Sequence, residues 1–360
     1  MIPYEDLGKL NQPFFKELEK DFQDSLQSGW YILGNKVKHF EQAFADYCGA
    51  NYCVGLASGL DALVLALKVL QLPKDAEVLV ASNTYIATIL AVINAGFKPV
   101  LVEPDINTYN MDPEKIEERI NARTKAIMLT HLYGKVCQMD KIEAICKKYQ
   151  LHLIEDCAQA HGAKFKGQQA GTFGLGAFSF YPTKNLGSLG DGGALTVKTE
   201  QEATLVKSLR NYGSAKKYHN DHIGYNSRLD EIQAGFLSIK LRYLDEITAH
   251  KRTLAKLYHD NLKGDFIKPQ VHPDFFDVYH IYNIRHPKRD QLKKYLLENG
   301  IGTEIHYPIP PHQQKAYQKI FKGESYPIAE EIHQTTLSLP ISFAHSTNDI
   351  EKVMEVMNQF

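Results

Sequence analysis

The sequence predicts an α/β fold, with a large domain built on a mostly parallel seven-stranded sheet and a smaller α+β C-terminal domain. Three observations carry this reading. Short β-branched runs alternate with helical patterns over the first two-thirds of the chain. Those runs are apolar almost throughout, as strands covered on both faces must be. Strand signals then thin out, which sets the large domain at 1–245 and the small one at 246–360.

In chain order the strand-like runs are 52–56, 77–81, 99–103, 125–130, 151–155, 177–180 and 192–197. The clearest helical patterns between them lie at 60–71, 86–95, 113–121 and 138–149. From Ser227 to Leu262 apolar residues keep three- and four-residue spacing, which predicts one long helix leading into the small domain. Beyond it, strands are expected at 280–286 and 302–306, and helices near 289–299, 325–336 and 347–358. No internal repeat or low-complexity tract stands out.

Composition narrows the function. Of 360 residues, 44% are hydrophobic and 23% charged, as in an ordinary soluble globular protein. Lysine plus arginine (41) nearly cancels aspartate plus glutamate (42), which argues against a nucleic-acid or acidic-membrane footprint. The apolar stretches 60–72 and 85–97 are broken by Asp61, Lys68 and Asn94. Each falls short of the about 20 residues a bilayer crossing needs. MIPYEDLGKL shows no secretory pattern. The five cysteines, Cys48, Cys53, Cys137, Cys146 and Cys157, are odd in number and form no C-x-x-C pair. They read as free thiols of a cytoplasmic protein. Cys48 and Cys53 lack the second half of a zinc site and read as core residues, so no metal is expected.

Ligands of open α/β sheets sit at the carboxyl ends of the strands, and three candidate features cluster there. Ser58-Gly59-Leu60 follows the run 52–56 and opens a helix, whose free amides suit a phosphate; the alternative is a tight turn needing a small residue. Asp156 ends the run 151–155. It either meets a cationic ring nitrogen of a cofactor or caps a following helix. Lys184 lies between the run 177–180 and the glycines Gly187, Gly190, Gly192 and Gly193. It is either a desolvated nucleophilic amine or a solvated loop lysine. Neither G-x-G-x-x-G nor G-x-x-x-x-G-K-[ST] occurs, which disfavours a nicotinamide-dependent oxidoreductase and a phosphate-loop enzyme. Joined, an anion cradle, a carboxylate and a lysine suit pyridoxal 5′-phosphate.

The ordered motifs SGWYILG (28–34), SGLDAL (58–63), EDCAQAHGA (155–163), FSFYPTKNLGSLGDGGA (178–194) and GYNSRLDEIQA (224–234) resemble the DegT/DnrJ/EryC1/StrS sugar-nucleotide aminotransferases. These belong to the aspartate-aminotransferase-like class, fold type I of the pyridoxal phosphate enzymes. The resemblance runs essentially from end to end. It implies that Lys184 holds pyridoxal phosphate as a Schiff base and shuttles protons, with pyridoxamine phosphate as intermediate. It also implies that Asp156 pairs with the pyridine nitrogen, Gln159 contacts the ring hydroxyl and Tyr85 stacks on the ring. Gly59, Leu60 and Ser179 would hold the phosphate, and Asn226 would reach it from the partner subunit of a homodimer. Many relatives have threonine where this chain has Leu60, so that contact would fall to backbone amides.

Some relatives that dehydrate sugars carry histidine at the lysine position, so Lys184 favours transamination. The form YPTKNLGSLGDGG resembles the branch acting at carbon 3 of the sugar. The implied reaction takes an amino group from L-glutamate to a dTDP-3-keto-6-deoxyhexose in a ping-pong cycle, with Tyr181, Lys217, His306 and Tyr307 near the sugar. Amination at carbon 4 and a non-catalytic family member are the alternatives. Products of such enzymes enter O-antigens, S-layer glycans or antibiotics.

Overall fold

The structure is a computed structural model that describes residues 1–216 and 218–360; the expected sugar contact Lys217 lies outside the described residues. All seven strand-like runs of the first two-thirds become strands of one sheet. They are β1 (Tyr52–Leu56), β2 (Glu77–Ala81), β3 (Lys98–Val102), β4 (Thr124–Thr130), β5 (His152–Asp156), β6 (Leu175–Ser179) and β7 (Gly193–Val197). Their spatial order is β1-β7-β6-β5-β4-β2-β3. Only β7 runs against its neighbours, pairing antiparallel with β1 and β6.

Successive strand residues point to opposite faces, and both faces are apolar. On one face Leu79, Ile127, Leu129, Phe178 and Ala194 pack against α2 (Asn35–Cys48), α5 (Met139–Tyr149) and α7 (Glu231–Leu241). On the other, Val78, Val80, Met128, Ile154 and Leu195 pack against α3 (Gly59–Val69), α4 (Ile86–Asn94) and α6 (Glu200–Leu209). The remaining long N-terminal helix, α1 (Phe15–Ser28), lies against α7. All five cysteines are buried. Among the described residues no helix is long and apolar enough to cross a membrane.

Several expected elements differ. The stretch 113–121 forms two short 3-10 turns, Pro113–Lys115 and Glu117–Arg119, in place of an α-helix; Pro113 and Ile116 are its buried apolar residues, too little to fix a helical face. The long helix over 227–262 is two, α7 and α8 (Leu244–Asn261). The chain breaks at Tyr243, whose ring turns onto Phe14 and whose hydroxyl donates to Glu17. Apolar spacing hides the break because Leu241 and Leu244 both face one core. Residues 302–306 make a single bridge, Glu304 to Ser338, because Gly302 donates instead to Ile2 of the N-terminal segment. The true partner of β8 (Tyr282–Arg285) is β9 (Thr336–Leu339), at the end of the expected helix 325–336. That helix, α10 (Pro327–Thr335), follows α9 (Arg289–Glu298) and precedes α11 (Thr347–Met357). These elements enclose their own apolar cluster around Leu254, Tyr258, Tyr282, Ile284, Leu337 and Val353.

One buried ion pair ties β1 to its flanking helices. Arg210, at the end of α6, donates to Glu41 of α2 and to the Gly55 carbonyl (2.7 Å), while Glu41 accepts from the Gly55 amide (2.8 Å). Breaking such a pair leaves a buried charge without its partner. Arg210→Met is therefore expected to cost about 3 kcal/mol of stability, read as a lowered urea midpoint.

Candidate active site

The site is built at the carboxyl edge of the sheet by the reversal of β7. Because β7 starts where β1 and β6 end, Gly193 pairs with both Leu56 and Ser179. A Cβ on Gly193 would stand 2.3 Å from the Ser58 carbonyl group, so only glycine fits. Ser58 caps α3, its hydroxyl accepting from the Asp61 amide (3.1 Å). Gly59, at the first turn, has Ser179 where a Cβ would be, 2.5 Å from the Ser179 Cβ. The helix N-terminus and the Ser179 side chain thus lie directly against one another at the sheet edge. Leu60 turns its side chain into the apolar cluster beside the sheet, leaving its amide to the edge. Ser227 braces the cradle, donating to Asp61 (2.7 Å) and accepting from Ala57 (3.2 Å).

Asp156 ends β5 nearly buried, at 4% exposure. No helix follows it, so the capping alternative falls; its Oδ1 accepts from the Ala158 amide (3.1 Å) and its Oδ2 from Thr88 (2.7 Å). Burial raises its pKa, and the two hydrogen bonds and the Lys184 charge oppose that rise. Its neighbour Glu155 points the other way. The Glu155 carboxylate accepts from the Gly174 (2.7 Å) and Gly171 (2.8 Å) amides and from His131 (2.9 Å). The Cys137 amide donates to His131 Nδ1, so Nε2 carries the ring proton and is the donor. His131, Glu155 and Cys157 form a cluster of metal-ligand type, yet both Glu155 oxygens are already engaged.

Lys184 sits half-buried in the loop between β6 and β7. Burial pulls its pKa down from 10.5 to about 8, with the Asp156 charge opposing. Its Nζ lies 3.5 Å from His280 Nε2. The loop is pinned on several sides. Phe180, fully buried, packs edge-on against Phe40 and Phe44 (5.3 Å each). Asn185 donates to the Val278 carbonyl (3.1 Å) and accepts from the buried Lys251 (2.8 Å), which also donates to the His280 carbonyl (3.2 Å). A second buried lysine, Lys240, donates to the Gly187 carbonyl.

The remaining expected residues divide. Gln159 accepts from the Tyr133 amide (2.6 Å) and donates to the Tyr307 hydroxyl (3.1 Å). The Tyr307 ring lies 5.1 Å from that of Tyr85, which is half exposed. His306 is next to it, bonded to the Ser338 hydroxyl (2.9 Å), its pKa lowered by burial to about 4. Tyr85, Gln159, His306 and Tyr307 are therefore brought together. Tyr181 and Asn226 point outward and are exposed, with Asn226 beside the Ser227 that braces the cradle. Sequence reasoning missed Thr88, His280 and Lys251. Thr88 stands one helical turn from Tyr85 and carried a readable signal; His280 and Lys251 did not, because only the packing of the small unit brings them to Lys184.

A lysine tuned this way reacts as a free amine well below the usual pH. In cofactor-free protein, labelling of Lys184 by an amine reagent, followed by peptide mass spectrometry, is expected to reach half its maximal rate near pH 8. Exposed lysines should instead climb toward about 10.4.

Known proteins resemble this chain along its length. It is 52% identical over 362 residues to the dTDP-3-amino-3,6-dideoxy-alpha-D-galactopyranose transaminase of Aneurinibacillus thermoaerophilus, covering 100% of this chain and 99% of that one. Its fold matches the crystal structure of S. venezuelae DesV in complex with a ketimine intermediate, with a TM-score of 0.96, 40% identity and coverage of 99% and 98%. It also matches NtdA from Bacillus subtilis, solved with the bound cofactor PMP, with a TM-score of 0.93, 28% identity and coverage of 99% and 84%. The model of the DegT/DnrJ/EryC1/StrS aminotransferase family matches residues 14–358, and the chain belongs to that family.

Proposed function

We propose that this aminotransferase uses pyridoxal phosphate to move an amino group from L-glutamate to carbon 3 of a dTDP-3-keto-6-deoxyhexose, giving a dTDP-3-amino-3,6-dideoxyhexose. The observation that carries the reading is the meeting, at one sheet edge, of a glycine-lined helix N-terminus, a buried carboxylate and a lysine of lowered pKa. The names of the Aneurinibacillus relative and of NtdA's cofactor support the substrate class and the cofactor.

The residues fit the group. The start of α3 at Gly59 packs so closely on Ser179 that only glycine fits, and the groups offered there are backbone amides and a hydroxyl, as a phosphate needs. When bound, pyridoxal phosphate supplies an electron sink for the C–H bond that breaks in each half of the transfer. Asp156 holds a proton on the ring nitrogen, since an adjacent anion favours the charged form of a base. The Lys184 Nζ would be the point of covalent attachment for the cofactor and would serve as the proton carrier when free; a pKa of about 8 suits both roles near neutrality. Gln159 has one amide hydrogen on Tyr307 and a second free for the ring hydroxyl. Tyr85, whose ring lies 5.1 Å from that of Tyr307, would stack on the cofactor ring, and His306 and Tyr307 beside it would contact the sugar together with Tyr181.

The homodimer belongs to the same proposal, with Asn226 completing the partner subunit's phosphate site. Its support is the exposed stretch Trp30-Tyr31-Ile32. That stretch is tied to the segment just after Asn226 through the bond from the Glu231 amide to the Tyr31 carbonyl (3.0 Å).

The test is spectroscopic. Purified protein loaded with pyridoxal phosphate is expected to show a visible band that L-glutamate replaces by the near-ultraviolet band of pyridoxamine phosphate. Lys184→Ala should show no such exchange. A 3-keto sugar nucleotide should restore the visible band, and restoration only by a 4-keto isomer would move the reaction to carbon 4. Absence of any visible band in the loaded wild type would overturn the aminotransferase reading.

A further inference from the structure

Behind Asp156 lie three buried hydroxyls that the reading above does not use. Thr88 Oγ1 donates to Asp156 Oδ2 (2.7 Å). Thr84 Oγ1 stands 2.8 Å from Thr88 Oγ1 and 2.7 Å from Thr130 Oγ1. Thr130 is 3.3 Å from Thr88. None of the three threonines is more than 4% exposed.

Counting protons gives the cluster a direction. Each hydroxyl has one hydrogen, and an ionised carboxylate only accepts. Thr88 therefore gives its hydrogen to Asp156. The contact between Thr84 and Thr88 then needs the hydrogen of Thr84, and the contact between Thr84 and Thr130 needs that of Thr130. The order Thr130 to Thr84 to Thr88 to Asp156 is the one assignment that makes all three short contacts hydrogen bonds. Dipoles aligned in this way end on the carboxylate, and each bond strengthens the next.

Other groups act on Asp156 as well. Lys184, from the loop after β6, favours its anion, and His131, just past β4, donates its backbone amide to the Asp156 carbonyl (3.1 Å). Tyr307 faces it from the small unit, and Glu155 is turned to the opposite side of β5. The hydroxyl chain is the contact that aims one particular oxygen.

We propose that Thr130, Thr84 and Thr88 form a directional hydroxyl relay that keeps Asp156 ionised and oriented, making Thr88 a positioning residue for the protonated ring nitrogen. The inference rests on the pyridoxal phosphate reading, but its first test does not need the cofactor. Thr88→Val removes the hydroxyl at nearly constant shape, and Thr88→Ser restores it. In the apoprotein, the Asp156 carboxyl is followed by carbon-13 NMR across pH, with Asp156→Asn supplying the assignment. Removing a donor from the charged form disfavours that form, so Thr88→Val should titrate about one unit higher, or more. Thr88→Ser should return to the wild-type midpoint, and Thr84→Val should rise in the same direction by less. In loaded protein, Thr88→Val should weaken pyridoxal phosphate binding roughly tenfold. A folded Thr88→Val protein with a wild-type Asp156 titration overturns the relay. If Thr88→Val does not fold, an unchanged titration in Thr84→Val overturns it equally. A wild-type protein without a visible band sinks the cofactor reading instead, and the apoprotein titration still decides the relay.

Discussion

The site depends on one backbone contact: Gly193 lies so close to the Ser58 carbonyl that no side chain fits between them. That contact exists because β7 runs against the rest of the sheet, so the chain reaches the carboxyl edge twice, once leaving β6 and once entering β7. The segment between those two visits carries Lys184. A parallel β7 would have required a crossover helix, which would have taken the lysine away from the edge. The reversal instead keeps the lysine loop, the start of α3 and the end of β5 within one small volume.

Such a loop would be mobile if it were merely exposed. Here buried cations restrain it. Lys240 and Lys251 are almost fully enclosed, and each donates to the loop at Gly187 or Asn185. Burial lowers both of their pKa values to about 8. A buried ammonium is costly unless its hydrogens are met. Each of these two places two of its three hydrogens, Lys240 on Asn11 and the Gly187 carbonyl and Lys251 on Asn185 and the His280 carbonyl. The loop geometry and the charge burial therefore support one another. Because Lys251 and His280 belong to the C-terminal part of the chain, the small unit fixes the surroundings of a lysine carried by the large one.

Much of this was legible in the sequence, for physical reasons that vary by element. The seven sheet strands were readable because a doubly covered strand must be apolar throughout, and their ends fell within about two residues of expectation. Asp156 and Lys184 stood out as polar residues at apolar strand ends. Helix α2 carries a usable helical pattern in Val37, Phe40 and Phe44 ahead of the first expected strand. The break at Tyr243 was hidden because helical spacing continues through it. Pairing of β8 with β9 was hidden too, since register between distant segments leaves no local trace. The threonines behind Asp156 show the sharpest limit. Thr84 and Thr88 are a helical turn apart and visible as a pair, but Thr130 joins them only through the sheet neighbours β2 and β4.

Burial alone cannot account for how the site's two central groups differ. It pushes Lys184 down and Asp156 up, so both move toward the neutral form. For the lysine that shift is useful, because a neutral amine is the nucleophile. For the aspartate it is adverse, because only the anion holds a proton on a facing base. The structure separates the two through hydrogen bonds. Asp156 receives donors at 2.7 and 3.1 Å, which favour its anion. Lys184 meets a single imidazole nitrogen at the outer limit of a hydrogen bond, 3.5 Å, and gains little stabilisation of its cation. Burial thus weakens both charges, and the donors placed around Asp156 offset that effect for the carboxylate while Lys184 has little to offset it.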